Sequence, residues 1–206
     1  EPNRNDYIES SPNSRPKPEI LFDTELGYRF NSKNLALGIN LYNMDYKNQL
    51  VNTGEINDVG ASVHSNIDES FRRGIEVETN LKLSNKLNWS GNITFSENKI
   101  VAHSEYIDNW DTWGKDTINY QNTDISFSPN IIAKSQLSYD LGNLQASWII
   151  KHIGNQYIDN SQSLDRMLEK YTLNNVLFSY DIKIRDIKSA KITLLVNNIL
   201  NKEYIN

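Results

Sequence analysis

Between Gly74 and Ile100 apolar and polar side chains take turns along the chain, and a period of two over that length specifies a β-hairpin. Ile75, Val77, Leu81 and Leu83 alternate with Glu76, Glu78, Asn80 and Lys82. After Ser84, Asn85 and Lys86 the pattern resumes as Leu87, Trp89, Ile93 and Phe95 against Asn88, Ser90, Asn92 and Thr94. Pairing Leu83 with Leu87 across the turn places every apolar side chain of both strands on one face, and a slip of one residue would send the whole set to the other. A soluble sheet and the wall of a membrane barrel both need such a stripe, so the neighbouring segments must decide between them.

The same periodicity predicts three further hairpins. Ile20, Phe22, Thr24, Leu26, Tyr28 and Phe30 run into Leu35, Leu37, Ile39 and Leu41, with Phe30 opposite Leu35 across an Asn31 to Asn34 turn. Ile131, Ala133, Leu137, Tyr139 and Leu141 pair with Leu144, Ala146, Trp148 and Ile150 through Gly142-Asn143, a dipeptide suited to the primed turns that match strand twist. Val176, Phe178, Tyr180, Ile182 and Ile184 face Ala190, Ile192, Leu194 and Val196 across residues 185–189. Between the hairpins lie long polar connections at 52–70, 102–130 and 154–170. In the last of these Leu164, Met167, Leu168 and Tyr171 have the spacing of one or two helical turns. Residues 1–18 hold Pro2, Pro12, Pro16 and Pro18 and are expected to form a loop or extended arm.

Short turns thus gather at one end of the sheet and long connections at the other, as in outer-membrane barrels. Glu76, Glu78, Lys82, Lys134, Gln136, Asp140, Lys183 and Lys191 suit a wet lumen. On the opposite face Tyr28, Phe30, Trp89 and Tyr139 stand near strand ends, where a bilayer interface favours aromatic rings. The predicted fold is all-β, an antiparallel up-and-down meander of about eight strands that forms part of a transmembrane β-barrel. Composition fits this. A net charge of -5 argues against a nucleic-acid footprint, and the absence of cysteine excludes disulfides, thiolate metal sites and a cysteine nucleophile. No apolar run reaches the roughly 18 residues of a membrane helix. A low mean hydropathy is no objection to a barrel, whose strands are apolar only at every second position. The opening residues show neither an initiator Met nor a signal-peptide pattern, which suggests a processed chain or an internal piece of a longer one.

Three stretches resemble TonB-dependent outer-membrane receptors. Ser70-Phe71-Arg72-Arg73-Gly74-Ile75-Glu76-Val77-Glu78 is similar to a strand common in these barrels. The segment from Arg15 into Glu25-Leu26-Gly27-Tyr28-Arg29-Phe30 is similar to the entry of an earlier strand. Val196-Asn197-Asn198-Ile199-Leu200-Asn201-Lys202-Glu203-Tyr204 is similar to the stretch before the last one. The resemblance implies a barrel of about 22 strands around a plug. Residues 19–206 would be its C-terminal barrel segment, with the plug domain, TonB box, earlier strands and last strand outside this chain. It implies a bacterial outer-membrane location and active uptake of a scarce nutrient, an iron-siderophore or haem first and cobalamin as another option. The implied partners are membrane lipid, the plug of the same protein and TonB through the missing N-terminal region. Neither enzymatic activity nor a resident cofactor nor a nucleic-acid partner is implied. Two alternatives stay open: a stand-alone small outer-membrane barrel without a transport role, and a secreted β-sandwich that binds glycans through Trp110 and Trp113.

Within 102–130 the candidate ligand-binding residues are Tyr106, Trp110, Trp113 and Tyr120, among the acids Glu105, Asp108, Asp111 and Asp116. Aromatic rings offer stacking area for a siderophore or haem. The plainer alternative is that they hold a long loop together or sit at the outer bilayer interface. His64, His103 and His152 lack a paired-ligand spacing and are expected to be ordinary surface histidines. Asp58, Asp68 and Glu69 lack the spacing of a calcium loop. Glu76 and Glu78 share a strand face but suit pairing with Lys82, Lys134 or a plug better than catalysis. No metal site and no catalytic residue is expected.

Overall fold

The computed structural model describes residues 4–9, 15–56, 60, 62–184 and 187–205. In chain order the elements are α1 (Arg4–Glu9), β1 (Ile20–Asn31), β2 (Leu35–Ile56), β3 (Ser62–Lys82), β4 (Leu87–Asn109), β5 (Gly114–Asp124), β6 (Ile131–Asp140), β7 (Leu144–Ile153), β8 (Gln156–Tyr157), β9 (Met167–Leu168), β10 (Tyr171–Ile184) and β11 (Ile187–Val196). Eight of them, β1, β2, β3, β4, β6, β7, β10 and β11, form an antiparallel meander in that order. The near half of β4 pairs with β6 and its far half with β5. A separate ribbon of β8 and β9 follows β7, with a single 3-10 turn at Leu164–Arg166 where helical spacing is predicted.

The alternation predicts the register well. Leu81 faces Trp89, Val77 faces Ile93 and Ile75 faces Phe95, and Leu83 donates its N–H to Leu87 O at 2.9 Å. In the first hairpin the expected pairing of Phe30 with Leu35 is off by two positions: Phe30 faces Leu37 and Asn31 faces Ala36. Ser32 explains the tighter turn, since its N–H bonds Leu35 O at 2.7 Å while its hydroxyl accepts the Leu35 N–H at 3.1 Å. A shift of two keeps every side chain on its face, so the apolar stripe survives. Gly142 has φ +87°, the left-handed value that the first central position of a II′ turn requires. The turns are also tied to one another, by Lys82 N to Asn34 O, Asp140 N to Lys86 O and Asp181 N to Asn143 O at 2.7–2.8 Å. All three bonds lie at the short-turn end of the sheet. The turn residues 185–186 fall outside the described residues.

The long connections differ from expectation. Most of 52–70 is strand, because β2 runs to Ile56 and β3 starts at Ser62. Most of 102–130 is strand too, because β4 runs to Asn109 and returns as β5. These outer portions are mostly polar with scattered apolar residues, so neither face supplies the sustained apolar period that marks a strand in sequence. The N-terminal 1–18 contains the short helix α1 where only loop or arm is expected.

On the apolar face Leu26, Tyr28 and Phe30 continue across the sheet as Leu37, Ile39, Leu41, Ile75, Val77, Ile93, Phe95, Leu137, Trp148, Val176, Phe178 and Leu194. The face stays open: Leu26 keeps 69% of its surface exposed. Its indole N–H groups are satisfied within the sheet, Trp89 by Ser135 Oγ at 2.9 Å and Trp148 by Asn174 Oδ1 at 3.0 Å. Total accessible surface is 14536 Å². A soluble monomer of this mass would expose about 9,900 Å². Among the described residues no second sheet covers the apolar stripe, which argues against a two-sheet sandwich. The buried cluster that does exist, Val51, Ile67, Ile100 and Ile125, lies beyond the stripe, in the outer tier.

Side-chain amides pin the irregular segments. Asn66 accepts the Lys17 N–H at 2.7 Å and donates to Lys17 O at 3.1 Å, so the arm is bound to β3 as a strand neighbour would be. Glu19 accepts the Leu50 N–H nearby. Replacing Asn66 with Ala removes both bonds to the arm, each worth about 1 kcal/mol net. The expected result is hydrogen exchange at the Lys17 amide faster by about tenfold, with the Leu50 amide little changed; equal protection of Lys17 would contradict the docking. At the C-terminal side Asn198, at φ 51°, accepts the Lys202 N–H at 2.9 Å and donates to Lys202 O at 3.0 Å. Its own N–H bonds Asn175 Oδ1 at 2.7 Å, and Tyr204 packs on Tyr171 with ring centroids 4.5 Å apart. The Asn-Asn-Ile-Leu-Asn run is therefore a capped turn that folds the chain back onto the start of β10.

Candidate functional site

Beyond the apolar stripe β4 and β5 build a hairpin whose tip is residues 110–113. Asn109 organises it. Its Oδ1 accepts the N–H groups of Asp111 and Thr112 at 3.0 and 3.1 Å, and its Nδ2 donates to Asp116 Oδ2 at 2.9 Å. Trp110 and Trp113 meet edge to face, centroids 6.2 Å apart and planes at 80°. They remain 74% and 86% exposed, and Trp113 sits at φ 54°, in the left-handed region disfavoured for bulky residues.

Lower on the hairpin His103 faces Tyr120 in register, and the rings stack at 5.0 Å and 17°. Tyr120 donates to Glu105 Oε2 at 2.9 Å. The 154–170 connection approaches this cluster with Asp159, which is buried, bonded to Arg166 Nη1, and accepts the Ser161 N–H and hydroxyl at 3.0 and 2.7 Å. Burial alone would raise the Asp159 pKa, but the bonds from Arg166 and Ser161 outweigh it and hold it below the ordinary carboxylate value. For Tyr120, burial and the carboxylate of Glu105 push the phenol up. Burial lowers the His103 pKa against the opposing charges of Glu105 and Asp159, so the folded hairpin disfavours the protonated imidazole.

The folded pKa of His103 lies below the unfolded value of 6.5, so the unfolded hairpin binds the proton more readily and local stability falls as pH drops through 6.5 toward the folded pKa. Amide exchange in β5 around Tyr120 should accelerate over that window in the wild type and lose the step in His103→Asn. An unchanged step in the variant would show that another group titrates. The Asp159 contribution works at lower pH: it is present above the unfolded carboxylate value of 3.8 and is lost as pH falls through the lowered folded one.

The base of the tier is a second junction. Residues 125–130 cross β4, with Ile125 N bonding Asn98 O and Ser96 N bonding Asn130 O, while Ser126 N reaches Asn160 Oδ1 and Phe127 N reaches Tyr157 O. Lys99 Nζ lies 2.8 Å from Asp124 Oδ1, a close ion pair whose angle is not that of a hydrogen bond, and Gln162 donates to Asp124 Oδ2 at 3.2 Å. On the polar face of the meander an open groove of about 540 Å³ is lined by Arg29, Gly38, Glu78, Asn92 and Lys134.

Of the predicted ligand residues, the structure brings Trp110 and Trp113 together at the tip and places Tyr120 on β5 in the His103 cluster. Tyr106 faces Thr117 on β4, and its side chain lies outside the described residues. The tryptophan pair and the Tyr120 cluster thus occupy separate places on the hairpin. Asp159 and Arg166 have no sequence signal, since they stand seven positions apart in an irregular connection. His64 lies 3.3 Å from Asp6, and His152 lies 2.8 Å from the Thr172 hydroxyl, so the three histidines occupy separate places. Glu76 and Glu78 are exposed on the polar face, with Glu78 lying across Gly38. Asp68 and Glu69 stand on β3, the latter facing Lys47; Asp58 falls outside the described residues.

Residues 2–199 match a family model described as TonB dependent receptor-like, beta-barrel. No curated protein matches the chain in sequence. Solved structures share the fold. The copper transporter OprC superposes with a TM-score of 0.65 at 15% identity, covering 92% of this chain and 27% of that one. The ferric yersiniabactin uptake receptor FyuA from Yersinia pestis gives 0.63 at 17% identity, covering 90% and 26%. The siderophore receptor PiuA from Acinetobacter baumannii gives 0.61 at 17%, covering 90% and 25%. The chain thus spans about a quarter of the length of these structures.

Proposed function

Because this chain belongs to the TonB-dependent receptor family, in its β-barrel part, we propose that it is a section of barrel wall in an outer-membrane receptor that actively takes up a scarce nutrient. The observation that carries the reading is the two-faced meander. Its apolar face is open, and from Leu83 to Ile75 and from Leu87 to Phe95 each strand offers a stretch close to the 9–11 residues that a tilted strand needs to cross a bilayer. The apolar face meets lipid. The polar face, with Arg29, Glu76, Glu78 and Lys134, lines the lumen and meets the plug of the same protein. The short turns are periplasmic, and the outer tier of β2–β3, β4–β5 and the 154–170 connection is extracellular, where Trp110, Trp113, Tyr120 and Tyr106 contribute to ligand capture. An iron chelate, siderophore or haem, is the nutrient we assign, taken up with energy delivered by TonB to the N-terminal part of the receptor.

The test uses the natural gene product in native membranes. Washing with high salt or alkaline carbonate should leave it in the membrane and detergent should release it, and loss of the gene should impair growth on a chelate as sole iron source. Release by salt alone would overturn the assignment.

A further inference from the structure

The proposal concerns the chemistry of the captured ligand, and it rests on the receptor reading above. From Phe95 to Asn109 the strand continues for about 14 residues, a path of roughly 45 Å at 3.3 Å per residue. Trp110 and Trp113 stand at the end of that path, far from the apolar stripe, so a role as interfacial belt residues does not account for them. Nor does packing: both rings are largely exposed, and Trp113 occupies a left-handed position where Asn or Gly would be less strained. Two large aromatic faces held in a fixed edge-to-face pair, on a tip braced by Asn109, form a contact surface that the fold does not need for itself.

Charge selects the occupant. Between Ile100 and Thr123 the sequence has Glu105, Asp108, Asp111 and Asp116 against Lys115 alone. The pairing within the tier deepens the asymmetry. Lys99 is bound by Asp124 and Arg166 Nη1 by Asp159, with Glu105 a more distant charge on Arg166, whereas the hydrogen bonds that Glu105 and Asp116 accept come from the neutral donors Tyr120 and Asn109. A polyanionic ligand approaching this tip meets a repulsive field, while a cation is drawn to it and finds the negative faces of two indole rings. We propose that the tip recognises a small ligand of net positive charge, a cationic chelate in the receptor reading, through cation–π contact with Trp110 and Trp113.

The experiment compares two ferric chelates by equilibrium dialysis against outer-membrane vesicles carrying the natural receptor. One is a tris-hydroxamate chelate bearing a protonated amine; the other is a trianionic tris-catecholate. The cationic chelate should bind at least about tenfold more tightly, the equivalent of 1.4 kcal/mol. Trp110→Ala with Trp113→Ala should remove that advantage, and Asp111→Asn with Asp116→Asn should reduce it while flattening its salt dependence. Equal or tighter binding of the catecholate would overturn the proposal, as would undiminished cationic preference in the double tryptophan variant. Binding of neither chelate by a protein that still resists salt extraction would overturn this proposal alone and leave the receptor assignment standing.

Discussion

An arginine in place of Val77 is expected to destabilise the receptor by about 2–4 kcal/mol, the cost of a basic side chain on the lipid face near the bilayer midplane. Val77 lies between Ile39 on β2 and Ile93 on β4, and the next row of that face holds Leu41, Ile75 and Phe95. In the proposed barrel wall the guanidinium there has only hydrocarbon to meet. Glu78→Arg, one residue along, gives the same charge to the opposite face, beside Asn92 and within reach of water, and it should cost little. Urea unfolding of the receptor in lipid vesicles compares the two midpoints. Similar losses from both substitutions would mean that the faces are not distinguished by lipid.

Gly74→Ala is the second large effect. A Cβ at Gly74 would stand 2.3 Å from Phe95 O, 2.8 Å from the Tyr42 hydroxyl and 3.0 Å from Ser96 Cα. Two of those atoms are backbone and cannot rotate away, so β3 and β4 must separate or Tyr42 must leave its place. Overpacking of this kind costs about 1–3 kcal/mol. Tyr42 faces Gly74 across the β2–β3 pair, and its hydroxyl stands beside the spot a side chain would fill, which gives the glycine of the Ser-Phe-Arg-Arg-Gly-Ile-Glu run a steric reason. The control is Gly27→Ala, whose added carbon meets Asn40 Oδ1 at 3.7 Å and Ile39 O at 3.9 Å, ordinary contacts. Gly27→Ala should assemble as the wild type does while Gly74→Ala shows a reduced folded fraction in membranes. Equal assembly would show that the strands yield at Gly74.

Where one face of a strand is apolar, the sequence is an adequate guide: Leu83 and Leu87 sit where the alternation puts them, and Gly142-Asn143 makes the turn its composition suggests. The two-position error at Phe30 arises from Ser32, whose hydroxyl closes a tighter turn than residue counting implies. Outside the stripe the signal vanishes. His64, Glu105 and Asn119 lie on outer portions of long strands that carry no sustained apolar alternation, and such a portion has the composition of a loop. The site fares similarly. Aromatic residues between 102 and 130 mark the hairpin, but only register separates the Trp110 and Trp113 tip from the Tyr120 cluster, and Asp159 with Arg166 enters that cluster from a segment some 40 residues further along the chain.

The central claim, that one sheet face meets lipid and the other a wet lumen, is tested most directly by single-cysteine scanning. The chain has no cysteine of its own, so each introduced thiol reports alone. Positions 75–83 of β3 would be spin-labelled in turn in reconstituted receptor, and collision with oxygen, which partitions into lipid, compared with collision with a water-soluble nickel chelate. Odd positions, Ile75, Val77, Thr79, Leu81 and Leu83, should favour oxygen, and even positions, Glu76, Glu78, Asn80 and Lys82, should favour nickel, in a strict period of two. A profile without alternation, or one with the even positions in lipid, would contradict the account.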